Sequence, residues 1–212
     1  MLKCVIFDMD GTIADTTPLC IAAFRKSIES LLGKSISDHE IFATFGPSEE
    51  GTIQALIPES FDEGVANYIK SYRELHDICK RPFDGIVDLL GALKERGLLL
   101  ALVTGKGAIS LNTSLEVFGI GEYFDAIETG SPEGPSKPAG IRRVLSKFGL
   151  EPQEAVYIGD MPNDIVSARK VSVPVIAAAW AKTANAPELE TYKPDKICYT
   201  VAELYNYLMK AK

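Results

Sequence analysis

The fold of this chain is decided by its first residues, Met1-Leu-Lys-Cys-Val-Ile-Phe-Asp-Met-Asp-Gly-Thr12. The run Val5-Ile-Phe is short, apolar and stiff, which is typical of a strand buried on both faces. It ends at Asp8 and Asp10, and Gly11 then frees the backbone to turn. An unpaired buried carboxylate is destabilising, but at the carboxyl end of a strand in an open α/β sheet it lies where ligands bind. Alone, the segment fits either a functional site or an edge strand with a polar Asp-Gly turn.

The composition excludes several classes of protein. The chain has 212 residues, of which 46% are hydrophobic and 24% charged, as expected for one globular domain, with or without an insertion. Its formal net charge is −7, and it has no basic run that could follow a nucleic-acid backbone or an anionic membrane. No stretch approaches the roughly 20 apolar residues of a membrane span. We therefore expect neither a nucleic-acid nor a membrane partner, and the sequence indicates no particular oligomeric state.

The cysteines indicate a reducing compartment. They are Cys4, Cys20, Cys79 and Cys198, far apart and without a Cys-x-x-Cys pair. This spacing argues against a zinc site, and a chain of this length needs no disulfide framework. The N-terminus also lacks the basic region and long apolar core of a signal peptide. We therefore predict reduced thiols and a cytoplasmic protein.

Hydrophobic spacing divides the chain into two parts. Residues 15–81 have helical spacing, as in the apolar stripe from Ile21 to Leu31, and no strand is evident there. From Pro82 onward helix and strand patterns alternate, which is the signature of a parallel sheet flanked by helices. The predicted fold class is therefore α/β. A Rossmann-like parallel-sheet core of residues 1–14 and 82–212 would carry residues 15–81 as an inserted α-helical cap.

Polar residues follow several of the predicted strands. The strands after the first are predicted at 98–103, 124–128, 155–158, 173–177 and 196–198, and Asp84 is placed to cap the helix before the second strand. The polar residues at strand ends, or in the loop 130–138, are Asp8, Asp10, Thr104, Lys137, Asp160 and Asp164. Each has an ordinary explanation as a turn, a solvated lysine or a helix cap. Because parallel strands all point the same way, we expect these side chains to converge on one site.

Charge determines what such a site can bind. Several carboxylates close together repel one another, which raises their pKa values and destabilises the fold. A divalent cation removes this repulsion, and an oxygen-only ligand set with room for water favours Mg²⁺. His39 and His76 are not near a predicted strand end, so we do not expect histidine acid–base chemistry.

Four motifs in this sequence resemble those of the haloacid dehalogenase superfamily. They are Asp8-Met-Asp-Gly-Thr12, Thr104, Lys137-Pro138 and Gly159-Asp160-x-x-x-Asp164. The resemblance covers the whole chain, and the helical insert is similar to the family's small α-helical cap. Within the superfamily the chain is most similar to the phosphoglycolate phosphatase-like branch, including its pyrophosphatase relatives.

The resemblance implies a role for each motif residue. Asp8 would be the nucleophile that forms an aspartyl-phosphate, and Asp10 would protonate the leaving oxygen and later take a proton from water. Mg²⁺ would be held by the Asp8 side chain, the Asp10 backbone carbonyl and Asp160, with Asp164 binding directly or through water. The phosphate oxygens would be bound by Thr104, the Gly105 amide and Lys137. Two positions depart from the family pattern, because Gly105 replaces a common Asn and Ala139-Gly140 replaces a common Asp-Pro.

The predicted function is a Mg²⁺-dependent phosphatase that hydrolyses a small phosphorylated metabolite, such as a phosphoglycolate-like ester. An acid at position 10 favours phosphate esters over carbon–halogen bonds. A pyrophosphatase or a sugar phosphomutase on the same core, and a non-catalytic binding module, remain alternatives. A dinucleotide-binding dehydrogenase is set aside because no Gly-x-Gly-x-x-Gly follows the first strand. The candidate cap contacts are Thr16, Ser48, Glu49 and Arg73, but we expect each of them to be a solvated helix residue.

Overall fold

In the computed structural model, which describes residues 1–210, six parallel strands form one sheet. They are β1 (Cys4–Phe7), β2 (Leu99–Val103), β3 (Ala126–Glu128), β4 (Ala155–Gly159), β5 (Val175–Ala178) and β6 (Lys196–Cys198). Their order is β3-β2-β1-β4-β5-β6, so β1 lies between β2 and β4, with Phe7 opposite both Leu102 and Ile158. The strand order reverses between β1 and β4, which opens a crevice at their carboxyl ends. The predicted α/β, Rossmann-like parallel sheet is confirmed.

Residues 1–210 also form ten α-helices. They are α1 (Thr17–Leu32), α2 (Asp38–Phe42), α3 (Glu49–Leu56), α4 (Phe61–Glu74), α5 (Ile86–Glu95), α6 (Ala108–Phe118), α7 (Lys137–Phe148), α8 (Pro162–Arg169), α9 (Ala186–Thr191) and α10 (Val201–Lys210). Successive strand residues point to opposite faces. Val5 and Phe7 therefore join the hydrophobic cluster of α5, α6 and α10, whereas Cys4 and Ile6 join that of α7 and α8. A sheet buried on both faces explains the continuously apolar strands of the sequence.

Helices α1 to α4 form a helical segment directly behind β1. Helix α1 ends at Gly33, whose φ of +65° is in the left-handed region that glycine adopts without strain. Helices α1 and α4 pack against each other through aromatic side chains, with the ring centroids of Phe24 and Tyr68 4.4 Å apart. The same apolar cluster continues to Phe7 of the sheet. The helical segment is therefore packed against the end of β1 that carries Asp8 and Asp10.

Several local predictions differ from the structure. Asp84 does not cap α5: the helix begins after Gly85, which has a φ of +86°, and Asp84 is exposed beside Arg81. Lys137 is the first residue of α7 and not part of the preceding loop. Helix α9 was not predicted, because it is short and only Leu189 of its residues is buried.

Two general expectations can also be compared with the structure. The four cysteines are free thiols, and all of them are buried. Between residues 1 and 210, the helices are all too short or too polar to cross a bilayer.

Candidate active site

The carboxyl ends of β1, β2 and β4 surround a cavity of about 260 Å³ that is lined on its other side by the helical segment. Of the predicted site residues, those that line it are Asp8, Asp10, Thr104, Gly105, Lys137 and Asp160. Asp164 is fully buried behind this wall and contacts Lys137. The predicted residues therefore lie together, although up to 156 positions separate them in sequence. Neither His39 nor His76 is among the residues that line the cavity.

Three buried carboxylates form a group that could hold a metal ion. Each of Asp8, Asp160 and Asp164 offers an oxygen, and these oxygens lie within 4.8 Å of one another. Oδ1 of Asp8 is buried and receives no hydrogen bond from residues 1–210. An orphaned anionic oxygen of this kind is costly unless a cation or a water binds it. The all-oxygen donor set fits Mg²⁺.

Gly11 allows this group to form. Its φ is +76°, and a Cβ atom at this position would lie 2.1 Å from Oδ2 of Asp160. Any other residue would therefore be strained in its backbone and would displace the Asp160 carboxylate. Thr12 then donates a hydrogen bond of 3.2 Å to Oδ1 of Asp160, which fixes the carboxylate from the same turn.

Lys137 neutralises part of the acidic group. Its Nζ lies 2.7 Å from Oδ2 of Asp8 and 2.5 Å from Oδ1 of Asp164. Asp164 also accepts hydrogen bonds from the Tyr157 hydroxyl (3.1 Å) and the Met161 amide (2.9 Å). Both oxygens of Asp164 are thus already occupied by donors, which suits a residue that orients its neighbours more than one that binds a metal directly.

The pKa values of these groups follow from burial and mutual repulsion. Burial raises the pKa of Asp8 to about 6, and the charges of Asp164 and Asp10 add to the effect while Lys137 opposes it. Burial and the charges of Asp164 and Asp8 also hold the pKa of Asp160 well above its usual value. A bound cation would favour the ionised form of both carboxylates, because it supplies the positive charge that the site otherwise lacks.

Lys106 is a part of the site that the sequence analysis did not identify. It is only 4% exposed, and its Nζ lies 3.0 Å from Oδ1 of Asp10 and 3.8 Å from Oε1 of Glu49. Asp10 also accepts a short hydrogen bond from the Thr16 hydroxyl. Burial alone would raise the pKa of Asp10, but Lys106 and Thr16 outweigh it and hold the pKa below its usual value. The signal for Lys106 was its position two residues after Thr104, at the same strand end.

The expectation that the four candidate cap contacts are solvated was wrong for three of them. Thr16, Ser48 and Glu49 are buried, and only Arg73 is exposed. Of the four, only Glu49 lines the cavity. Its carboxylate accepts short hydrogen bonds from the Gly107 amide and the Ser110 hydroxyl, at the start of α6. These residues are buried because the helical segment docks on the core, which a helix considered alone does not reveal.

Comparisons with known proteins were made by family, by sequence and by structure. The model of the family described as haloacid dehalogenase-like hydrolase matches residues 5–178. The chain is 28% identical over 204 residues to the pyrophosphatase PpaX of Bacillus velezensis, covering 95% of this chain and 94% of that protein. A PpaX of Bacillus pumilus is 29% identical over 205 residues, with coverage of 96% and 94%.

Two solved structures have the same fold over nearly the whole chain. One is a haloacid dehalogenase-like family hydrolase from Streptococcus pneumoniae, with a TM-score of 0.80, 27% identity and 98% coverage of both chains. The other is described as a predicted phosphoglycolate phosphatase from Haemophilus somnus, with a TM-score of 0.79, 23% identity and 98% coverage of both chains.

Proposed function

Because the chain belongs to the haloacid dehalogenase-like hydrolase family, we propose that it is a Mg²⁺-dependent phosphatase of small phosphorylated metabolites that works through an aspartyl-phosphate on Asp8. The single observation that supports this most strongly is that Oδ1 of Asp8 has no hydrogen-bond partner among residues 1–210, in a cavity that Asp160 and Lys137 also line. In this proposal Asp8, the Asp10 carbonyl and Asp160 would hold Mg²⁺, and Asp164 would act through Lys137 or a water. The metal would supply positive charge that favours the ionised Asp8 and offsets the charge of the phosphoryl group.

In the first step, a carboxylate oxygen of Asp8 attacks phosphorus, and the bond between phosphorus and the leaving oxygen breaks. Asp10 donates a proton to that oxygen, and the leaving group departs as an alcohol. Lys137, the Thr104 hydroxyl and the Gly105 amide would bind the phosphoryl oxygens, where charge develops. Asp10 is held in its ionised form by Lys106 in the structure, so we expect its contact with Lys106 to loosen before this step.

In the second step, Asp10 takes a proton from a water molecule, which attacks phosphorus and displaces the Asp8 carboxylate. Phosphate is released and Asp8 is regenerated, so the sum of both steps is hydrolysis. The pair with Lys106 favours the ionised Asp10 that this step requires. Burial of the attacked group beneath the helical segment would limit competing reactions with bulk water.

We also propose that residues 15–81 act as a cap over the core formed by residues 1–14 and 82–212. Glu49 supports this role, because its contacts with Gly107 and Ser110 join α3 to the start of α6 beside the cavity. A cap in this position restricts the site to small substrates. The reduced thiols and the substrate class are consistent with a cytoplasmic metabolic enzyme.

The test is phosphate release from a panel of phosphate esters and pyrophosphate, with Mg²⁺ and with EDTA. We expect turnover only with Mg²⁺. Asp8→Asn should lower kcat by at least about 10³-fold, because the other catalytic residues cannot take over the role of the nucleophile. Asp88→Asn is the matched control, because it removes an exposed carboxylate on α5. Full activity in Asp8→Asn, or equal activity in EDTA, would contradict the proposal. Isomerised phosphosugar without net phosphate release would instead indicate a mutase.

A further inference from the structure

The wall of the cavity opposite the strand ends is largely apolar. The helical segment contributes Phe24, Phe42, Phe45 and Pro47 to the lining, and the loop before α7 contributes Pro135. The rings form one continuous patch, with the centroid of Phe45 5.9 Å from that of Phe24 and 5.1 Å from that of Phe42. Phe42 and Phe45 are neighbours in this patch and remain 38% and 40% exposed. A ligand that covers them would remove apolar surface from water.

This wall offers no positive charge. Within the described residues 1–210, the part of the lining between Thr17 and Thr52 contains no Lys, Arg or His, and its one charged side chain is Glu49. The whole lining carries four carboxylates but only two ammonium groups, those of Lys106 and Lys137. Both lysines are already paired, Lys106 with Asp10 and Lys137 with Asp8.

The charge balance limits what the substrate can carry besides its phosphoryl group. Counted with every side chain ionised, as a bound cation would favour, the lining has a formal net charge of −2. A divalent cation would bring it to neutrality, and the substrate's phosphoryl group would make it negative again. A carboxylate or a second phosphate on the leaving group would lie against aromatic faces, which are electronegative, and beside Glu49. Such a group would lose its hydration without gaining an ion pair.

The volume of the cavity sets the size of the leaving group. A cavity on the order of 150 Å³ holds one benzene molecule. The 260 Å³ available here therefore accommodates a phosphoryl group together with about one six-membered ring.

We infer that the substrate is a phosphate monoester of an uncharged, apolar alcohol with about one ring, and that Phe42 and Phe45 select it. This inference rests on the proposed phosphatase function and makes it more specific. It distinguishes this chain from an enzyme built for pyrophosphate or for 2-phosphoglycolate, whose leaving groups are anionic.

The experiment compares kcat/KM for benzyl phosphate, 2-phosphoglycolate and pyrophosphate, with acetyl phosphate as a small donor that makes little use of the apolar wall. We expect benzyl phosphate to be preferred over both anionic substrates by at least about 10-fold, since hydrophobic pockets discriminate apolar groups by about 10- to 200-fold. Phe45→Ala should raise KM for benzyl phosphate by about 10-fold with a smaller change in kcat. Phe45→Lys should lower the preference for benzyl phosphate over 2-phosphoglycolate by at least about 10-fold, because it adds the missing cation.

Tyr207→Ala is the control, because Tyr207 is 44% exposed on α10 and does not line the cavity. It should leave every ratio unchanged. If acetyl phosphate is hydrolysed and pyrophosphate or 2-phosphoglycolate is preferred over benzyl phosphate, the inference about the substrate is overturned, whereas the proposed phosphatase function is retained. Unchanged selectivity in folded Phe45→Lys would also overturn it. Failure to hydrolyse any of the four compounds would overturn both proposals.

Discussion

Removal of the Asp8 carboxylate is expected to stabilise the metal-free protein at neutral pH. In the folded state the pKa of Asp8 is about 6, against an ordinary value of 3.8. Each unit corresponds to about 1.36 kcal/mol, so ionising the buried Asp8 lowers the free energy of unfolding by about 3 kcal/mol. Well below pH ~4 both the folded and unfolded chains are protonated at Asp8, and this penalty is absent. It grows as the pH rises from about 4 to about 6, because the unfolded chain then loses the proton that the folded state still holds, and it is constant at higher pH.

The assay is urea unfolding of the wild-type protein and Asp8→Asn in EDTA, from pH 4 to pH 7. The amide introduced by this substitution does not ionise, so the variant should gain about 2 kcal/mol relative to the wild type over this interval, since part of the penalty is already present at pH 4. Any constant offset from the altered contact with Lys137 cancels, because only the change with pH is compared. Adding Mg²⁺ at pH 7 should then stabilise the wild type more than the variant.

Asp10→Asn is the contrasting control. The pKa of Asp10 is lowered by Lys106 and Thr16 despite its burial. Asp10 therefore contributes stability above its ordinary pKa, and this contribution is lost as the pH falls. Asp10→Asn should thus be less stable than the wild type at pH 7, and the difference should shrink on acidification. A difference between Asp8→Asn and the wild type that stays constant from pH 4 to 7, or changes in the opposite direction, would refute the reasoning.

Two further substitutions test the site with matched controls. Gly11→Ala should abolish Mg²⁺ binding measured by titration calorimetry, because the new methyl group overlaps the Asp160 carboxylate. Gly33→Ala is the control, because Gly33 also has a positive φ but lies in open space. It should leave Mg²⁺ binding intact and lower the free energy of unfolding only by the backbone strain of about 1–2 kcal/mol. Equal Mg²⁺ affinity in both variants would contradict this. Lys106→Met should lower the free energy of unfolding by about 3–5 kcal/mol, because it removes the buried ammonium group that pairs with the partly buried Asp10 and with Glu49. Lys94→Met breaks a partly exposed ion pair with Asp125 and should lower the free energy of unfolding by less than about 1 kcal/mol. Equal losses of unfolding free energy in the two lysine variants would contradict the buried pairing of Lys106.

The sheet and the convergence of its acidic residues could be predicted because both follow from local signals. A short, stiff apolar run such as Val5 to Phe7 is typical of a strand buried in a parallel sheet, and its polar end then lies at the carboxyl ends of the strands, where ligands bind. Asp8 and Asp160 follow two such runs, so a parallel arrangement was sufficient to bring them together. The sequence could not show that β1 and β4 are neighbours, which puts these two carboxylates in one group.

The contacts of Lys106 and Glu49 could not be predicted for a different reason. A lysine after a strand and a glutamate at the start of a helix are both commonly solvated. Their burial depends on how the helical segment docks on the core, and Glu49 is 57 positions away from Lys106 in sequence. The failed prediction of an Asp84 cap has a local origin, because the chain enters α5 through a left-handed turn at Gly85 and not through Asp84.

The sequence by itself determined the α/β class, the strands and the acidic residues at their ends, because hydrophobic period and turn chemistry act over a few neighbouring residues. Tertiary structure alone decided which charges are paired, which oxygen of Asp8 is left without a partner and which aromatic rings line the cavity. Those properties depend on distances between segments that are far apart in the chain. Burial and electrostatic energies are set by such distances, and no local pattern in a sequence contains them.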